Sequence, residues 1–347
     1  MTKQGHLEIY DLCLRTCSPL FIGGGSESEY LKKEYYYDET TGSVIFVNQD
    51  KFLNFVIENN LVESFEDYML NHPGMYLKDF LDKHNISLDD LKEIITMKTD
   101  ARHALVPGKS LANIQGFISD KYYRPYVPGS SIKGALLTVV AYLKIKEGKV
   151  RIRDERELKN DYYRKFWSEV KDYLKGVAFS DSEPISQKDM FIVRKDDLMP
   201  NGKVNNPNVV RQCVKPNVEI KLKMTIDAKI ARVDASYIKR AVKEFSSFYK
   251  DTYLDPYARY IHPIVSNNFI ALGGGSGYFG KNIVYPLFGK ERAVREVAQM
   301  LNSIEHFKSH GHLSDVNYNI SPRCLKCTRL SANGKYHHMG ICEVSIE

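Results

Sequence analysis

No run of roughly 18 apolar residues occurs in this chain, so none of its helices is expected to cross a membrane. The opening Met1-Thr2-Lys3-Gln4-Gly5-His6 lacks the apolar core of a secretory signal. Tryptophan occurs once, and six cysteines are few for 347 residues. Without a signal, such thiols are expected to be reduced, in a cytoplasmic protein. Nucleotide-binding signatures are also missing. Gly280-Lys281 is followed by Asn282 where a Walker motif needs Ser or Thr, and no βαβ unit with a downstream acid follows the glycines. No cofactor is expected.

Catalytic sets are equally thin. His6 and His103 stand alone, and His262 lies in Arg259-Tyr260-Ile261-His262-Pro263 with no partner fixed by sequence. Cys324-Leu325-Lys326-Cys327 followed by His337-His338 invites a zinc reading. Adjacent histidines on a strand face opposite ways, so structural thiols are favoured and no metal site is assigned. Asp181, in Phe179-Ser180-Asp181-Ser182, fits a turn cap better than a catalytic carboxylate.

What is present is a soluble composition, 43% hydrophobic and 27% charged, in a chain longer than one typical core. The net charge of +6 is unevenly placed. Residues 1–100 carry 9 Lys/Arg against 18 Asp/Glu, while residues 121–175 carry 14 against 7. One region therefore suits polyanions and another suits water or a protein partner. With 23 tyrosines and 16 phenylalanines in the chain, basic groups interleaved with tyrosines suit single-stranded RNA, where rings stack on bases and cations meet phosphates; a tyrosine-rich core with solvated lysines fits the same residues.

Tyr126-Val127-Pro128-Gly129-Ser130-Ser131-Ile132-Lys133-Gly134 organises the reading. Pro128-Gly129 ends a strand-like Tyr122–Val127, and Ser130 or Ser131 is a candidate N-cap. Ile132, Ala135, Leu136, Val139, Val140 and Leu143 then form the buried face of a helix running to about Lys146. Lys133 lies in the first turn, where the helix dipole disfavours a cation, which suggests an anion close by; an ordinary well-capped core helix with a solvated lysine fits the motif equally well. A second loop, Gly273-Gly274-Gly275-Ser276-Gly277-Tyr278-Phe279-Gly280-Lys281, joins bare amides to a ring and a cation, as a phosphate nest does. A third glycine run, Gly23-Gly24-Gly25, follows a strand read over 7–22.

Elsewhere, 49–98 reads as mostly helical and acidic, with Ser87 capping its last helix. Residues 101–120 follow an irregular path, and 147–175 are helical with Tyr162, Tyr163, Phe166, Trp167 and Val170 buried. Val218 to Asp227 alternates strictly, the clearest strand in the chain. Helices are read from Ile238 to Tyr249 and over 291–308, and strands over 323–330 and 339–346. Strand, helix, strands, helix, strand recurs in each half, the order of ferredoxin-like modules.

Phe21–Ser26, Tyr126–Leu137, Gly176–Ser182, Gly273–Lys281, Pro322–Thr328 and Met339-Gly340-Ile341-Cys342-Glu343 together resemble the RAMP superfamily of CRISPR proteins. The resemblance spans nearly the whole chain, is weakest over 49–105, and is closest to the single-copy type III-A (Csm complex) subunit at the crRNA 3′ side. It implies an α+β protein of two ferredoxin-like, RRM-like modules: 1–175, with a helical insertion at about 49–105, and 176–347, with the glycine-rich loop. It implies a non-catalytic crRNA-binding subunit that supports crRNA 3′ maturation and assembly in antiviral defence. Its implied partners are crRNA, the repeated backbone RAMP subunit and the small helical subunit, with target RNA and a cellular 3′ trimming nuclease as further candidates.

The expected RNA contacts are Gly129, Ser130, Ser131 and Lys133; Arg102, Lys109 and Arg124; Gly23, Gly24 and Gly25; and Gly273, Gly274, Gly275, Ser276, Gly277, Tyr278, Gly280 and Lys281. The alternative is a metal-independent RAMP endoribonuclease processing repeat RNA, with His262 or His103 as general base.

Overall fold

A computed structural model describes residues 1–25, 28–105, 111–149, 161–331 and 333–347, with the backbone alone over 161–165. The chain opens with β1 (Thr2–Gln4), β2 (Leu7–Thr16), β3 (Glu29–Tyr30), β4 (Tyr35–Asp38) and β5 (Ser43–Val47). Three helices follow, α1 (Gln49–Glu58), α2 (Val62–Asn71) and α3 (Leu77–Lys83), then β6 (Ile95–His103) and β7 (Ile114–Gln115). Helices α4 (Gly129–Lys146) and α5 (Asp161–Tyr173) precede β8 (Val177–Phe179), β9 (Met190–Leu198), β10 (Val204–Val214) and β11 (Glu219–Asp227). The remainder is α6 (Ala235–Tyr249), β12 (Phe269–Ala271), α7 (Val284–Phe288), α8 (Lys290–Ser303), α9 (Glu305–Lys308), β13 (Leu325–Arg329), β14 (Tyr336–His338) and β15 (Ile341–Ile346).

These elements make a mixed α+β fold around two sheets. The first has the order β12-β15-β2-β11-β8, antiparallel throughout, with β1 added on β2. Its logic is visible in β11, where Ile220, Leu222, Met224 and Ile226 are buried while Glu219, Lys221 and Lys223 are exposed. Strict alternation puts one face of the sheet in the core. Helices α4 and α6 share that core and meet through Tyr142, whose ring lies 5.7 Å from Phe245 and 4.7 Å from Phe248. Lys144 is buried between the Tyr173 and Tyr237 rings, at 4.0 and 4.2 Å, which ties α5 and α6 to α4.

The second sheet runs β3-β7-β10-β9-β6-β5-β4, and β13 with β14 extends from β9. Both sheets draw strands from either side of residue 175. Strand β2 ends at Thr16, short of the expected 22, because the chain then crosses between sheets: Leu20 pairs with Val214 of β10.

Helices α1 to α3 have their own small core, in which the rings of Phe52, Phe65, Tyr68 and Phe80 pack edge-on or tilted. The helical reading of 49–98 holds to Lys83 and fails at Ile95. There Met97, Thr99 and Ala101 alternate inward at a period of two, giving β6. Ser87 exchanges hydrogen bonds with Asp90, but the segment is a turn and no helix follows. Tyr122–Val127 is likewise no strand. Asp120 accepts from the amides of Tyr122 and Arg124 and closes a turn, leaving a single bridge from Ser119 to Pro125.

Candidate nucleic-acid interface

Helix α4 starts where the sequence places it, by a different cap. Pro128 occupies the N-cap position, and neither Ser130 nor Ser131 caps with its side chain. The free amide of Gly129 donates to Asp181 Oδ1 at 2.9 Å, so the cap comes from the 180–182 turn. That turn is clamped further: Val127 N–H donates to Ser182 Oγ, and Ser182 N–H to the Val127 carbonyl. Gly129 lies so close to it that a Cβ would sit 2.2 Å from the Phe179 carbonyl oxygen. Lys133 is exposed and donates to the Val177 carbonyl at 2.8 Å.

The 273–281 loop leaves β12 and packs on two backbones. Gly273 has φ +77°, and a Cβ there would meet the Phe21 carbonyl at 2.1 Å. Gly274 N–H donates to that same carbonyl. Gly275 lies against Met339, and Ser276, fully buried, donates to the Gly273 carbonyl at 2.9 Å. Lys281 is exposed and makes no ion pair among the described residues.

A groove of about 690 Å³ joins the two motifs. One wall is the α4 surface at Ser131, Gly134 and Thr138; the other is Gly273, Gly280 and Lys281. Trp167 and Lys171 of α5 complete it. Trp167, expected on a buried face with Phe166 and Val170, is only half-buried, whereas those two are buried. A ring, two ammonium groups, hydroxyls and three glycines together offer stacking, charge and close backbone approach to an extended anion.

Other expected contacts lie elsewhere. Gly129, Ser130 and Lys133 do not line the groove, and Ser276, Gly277 and Tyr278 face a different cavity. In the first glycine run, Gly23 pairs with Phe117 and Gly24 N–H donates to Ser28 Oγ. Gly25 turns at φ +93°. Phe21 and Ile22, just ahead of that run, are the residues that touch Gly273. Arg102 is held by Asp100 through two hydrogen bonds, and this guanidinium holds the Asp100 carboxyl below its ordinary pKa. Arg124 pairs with Asp120 in the same manner, with the same effect on that carboxyl. Lys109 lies outside the described residues.

His262 stacks on His337 at 4.2 Å, and burial pushes the His337 ring down to about 4. His103 stands apart, edge-on to Phe191. Cys327 is buried and Cys324 half-buried, and burial raises both thiols. Among the groove residues not singled out as contacts from sequence are Gly134, Thr138, Trp167 and Lys171. Trp167 carried the best signal, since the chain's single tryptophan lies among lysines and arginines and can serve as a stacking ring.

With this geometry in place, the chain can be set beside known proteins. The RAMP superfamily family model matches residues 13–280. The chain belongs to that superfamily. Among curated relatives, the CRISPR system Cms protein Csm5 of Mycobacterium tuberculosis (strain CDC 1551 / Oshkosh) is 26% identical, with 98% of each chain covered. The Streptococcus thermophilus protein of the same name is 27% identical over 79% of this chain and 80% of its own. Among solved structures, this RAMP protein is similar to a chain of a Csm-crRNA-target RNA ternary complex from a type III-A CRISPR-Cas system. The TM-score is 0.67 at 18% identity, covering 97% of this chain and 100% of the other. The T. onnurineus Csm5 crystal structure gives 0.60, also at 18% identity, covering 95% and 99%. These structural likenesses are of fold.

Proposed function

We propose that this RAMP protein is a crRNA-binding subunit of a type III-A Csm effector complex. It sits at the crRNA 3′ side and supports 3′ maturation and assembly in antiviral defence without performing catalysis. Its neighbours are the repeated backbone RAMP subunit and the small helical subunit, with target RNA and a cellular trimming nuclease as further partners, in the cytoplasm. The observation that carries the reading is the groove uniting Ser131, Trp167, Lys171 and Lys281 between the two glycine motifs. Curated relatives named Csm5, matched over nearly their full length, support the choice of complex.

The first sheet supports a ferredoxin-like, RRM-like module. Its strands β2, β8, β11 and β15, with α4 after the first and α6 after the third, are ordered β15-β2-β11-β8 and antiparallel. A second such module is read around β9 and β10. The glycines, Arg102, Arg124, Lys109 and Lys133 remain proposed RNA contacts, with Lys281 the first to test.

The test is affinity purification of the tagged chain together with the other Csm proteins and a CRISPR array. A defined crRNA and a ladder of Csm subunits should co-elute. Recovery of the chain alone sinks the reading. So does defined cleavage of repeat RNA by the purified chain in EDTA that is lost in His262→Ala.

A further inference from the structure

The outer side of the 273–281 loop forms part of a second cavity, of about 630 Å³, which the groove does not include. That volume falls within the ordinary range for small-molecule sites. Tyr278 lines it from the loop, and Phe307, His310 and His312 line it from the segment after α8. The last three rings pack on one another: Phe307 lies 5.6 Å from His310 and 6.2 Å from His312, and the two histidines are 5.7 Å apart. This aromatic wall is fixed from behind. Asp315, fully buried, binds His312 Nδ1 at 3.0 Å and accepts from Ser321 Oγ at 2.8 Å and from Arg323 at 2.6 Å. Arg323 also donates to the carbonyls of His310 and Gly311. Arg323 and Asp315 thus cancel in charge and serve as construction.

Lys203 and Lys326 also line the cavity. Asp197 takes hydrogen bonds from both Lys195 and Lys326, at 2.9 and 2.6 Å, leaving one positive charge in surplus. Lys203, with no ion pair among the described residues, adds another. Its position is set by a tight turn, in which Met199 N–H donates to the Lys203 carbonyl and Gly202 stands at φ +84° against the Tyr260 ring. Two surplus charges match a phosphomonoester, which carries about −1.5 to −2 near neutrality. Rings and lysines lining one cavity match a base and its phosphate.

We propose that this cavity is a mononucleotide site, with the base against Tyr278, Phe307 and His310 and the phosphate at Lys203 and Lys326. The site stands independently of RNA binding in the groove. The test is equilibrium dialysis of the full chain with AMP, UMP, adenosine and inorganic phosphate. AMP or UMP should bind, adenosine about tenfold more weakly, and Lys203→Ala or His310→Ala should weaken AMP binding about five- to tenfold. Lys281→Ala should leave it unchanged. No binding of AMP or UMP at millimolar concentration overturns the proposal, as does equal affinity in Lys203→Ala and His310→Ala. An RNA carrying 4-thiouridine then identifies the natural source. Crosslinks at Tyr278 or His310 that AMP suppresses mean that the site takes a nucleotide of a bound strand. AMP binding without such crosslinks means a free nucleotide. RNA binding that persists without any AMP binding leaves the groove reading standing and removes this one.

Discussion

The two glycine-and-lysine motifs look alike as sequence and differ as structure. At 128–133 the recognition groups already have partners within the fold: the Gly129 amide is taken by Asp181, and the Lys133 ammonium, though exposed, meets the Val177 carbonyl. At 273–281 the glycines are used for packing too, but Lys281 is left at the surface on a groove. Glycine, serine and lysine at a helix start thus describe a phosphate site and a buried corner equally well. What separates them is whether partners for the amide and the ammonium exist within the fold.

The strongest way to break this comparison is through the glycines. Gly273→Ala adds a Cβ onto a backbone carbonyl and forces a left-handed conformation, and should destabilise the chain by about 3 kcal/mol. Gly129→Ala meets only the contact, without the strain, and should cost about 2 kcal/mol. Urea denaturation measures both, and a smaller effect at Gly273 would reverse the ranking.

Acid should also separate the motifs. His338 backs the second loop from β14, donating through Nδ1 to the Lys326 carbonyl and accepting at Nε2 from Tyr249 Oη. Burial pushes this ring down to about 4, against an ordinary value of 6.5. Between those values the unfolded chain binds more protons than the folded one. The stability this neutral ring contributes is therefore present above about pH 6.5 and lost as pH falls through about 4. Hydrogen-exchange protection over 273–281, corrected for the intrinsic pH dependence of exchange, should fall across that window before protection at the start of α4 does. An equal fall in protection would show that the two loops share one support.

The finest distinction lies between the lysines. Lys281→Ala should weaken RNA binding about tenfold at low salt and reduce the salt slope by about one, as loss of one phosphate contact does. Lys133→Ala should weaken binding less, by about threefold, since its exposed ammonium is shared with a carbonyl partner. Fluorescence anisotropy across a salt series checks both, and a larger loss at Lys133 would place the anion at the other motif.

Local periodicity accounts for what could be read in advance. The alternation of β11 and the apolar face of α4 are written within ten or twenty residues, and each formed close to its expected bounds. What escaped depends on residues distant in the chain. Ser130 and Ser131 were reasonable caps until Asp181 arrived from 52 residues away. Trp167 follows a helical pattern that suggests burial, and only the placement of α5 beside the 273–281 loop leaves its ring at the groove. The His312–Asp315 pair has a three-residue spacing that signals nothing until Arg323 and Ser321 close around it.

The pairing of β2 between β11 and β15 has a consequence for biosynthesis. Residues 7–16 are made well before the neighbours that complete their hydrogen bonding, which follow some 200 and 330 residues later. Until then, Leu12 and Leu14 wait on an open edge, a state that favours chaperone capture and misassembly. Such long-range closure also predicts slow refolding. A chain stopped before Ile341 would be missing the partner on one side of its own first long strand.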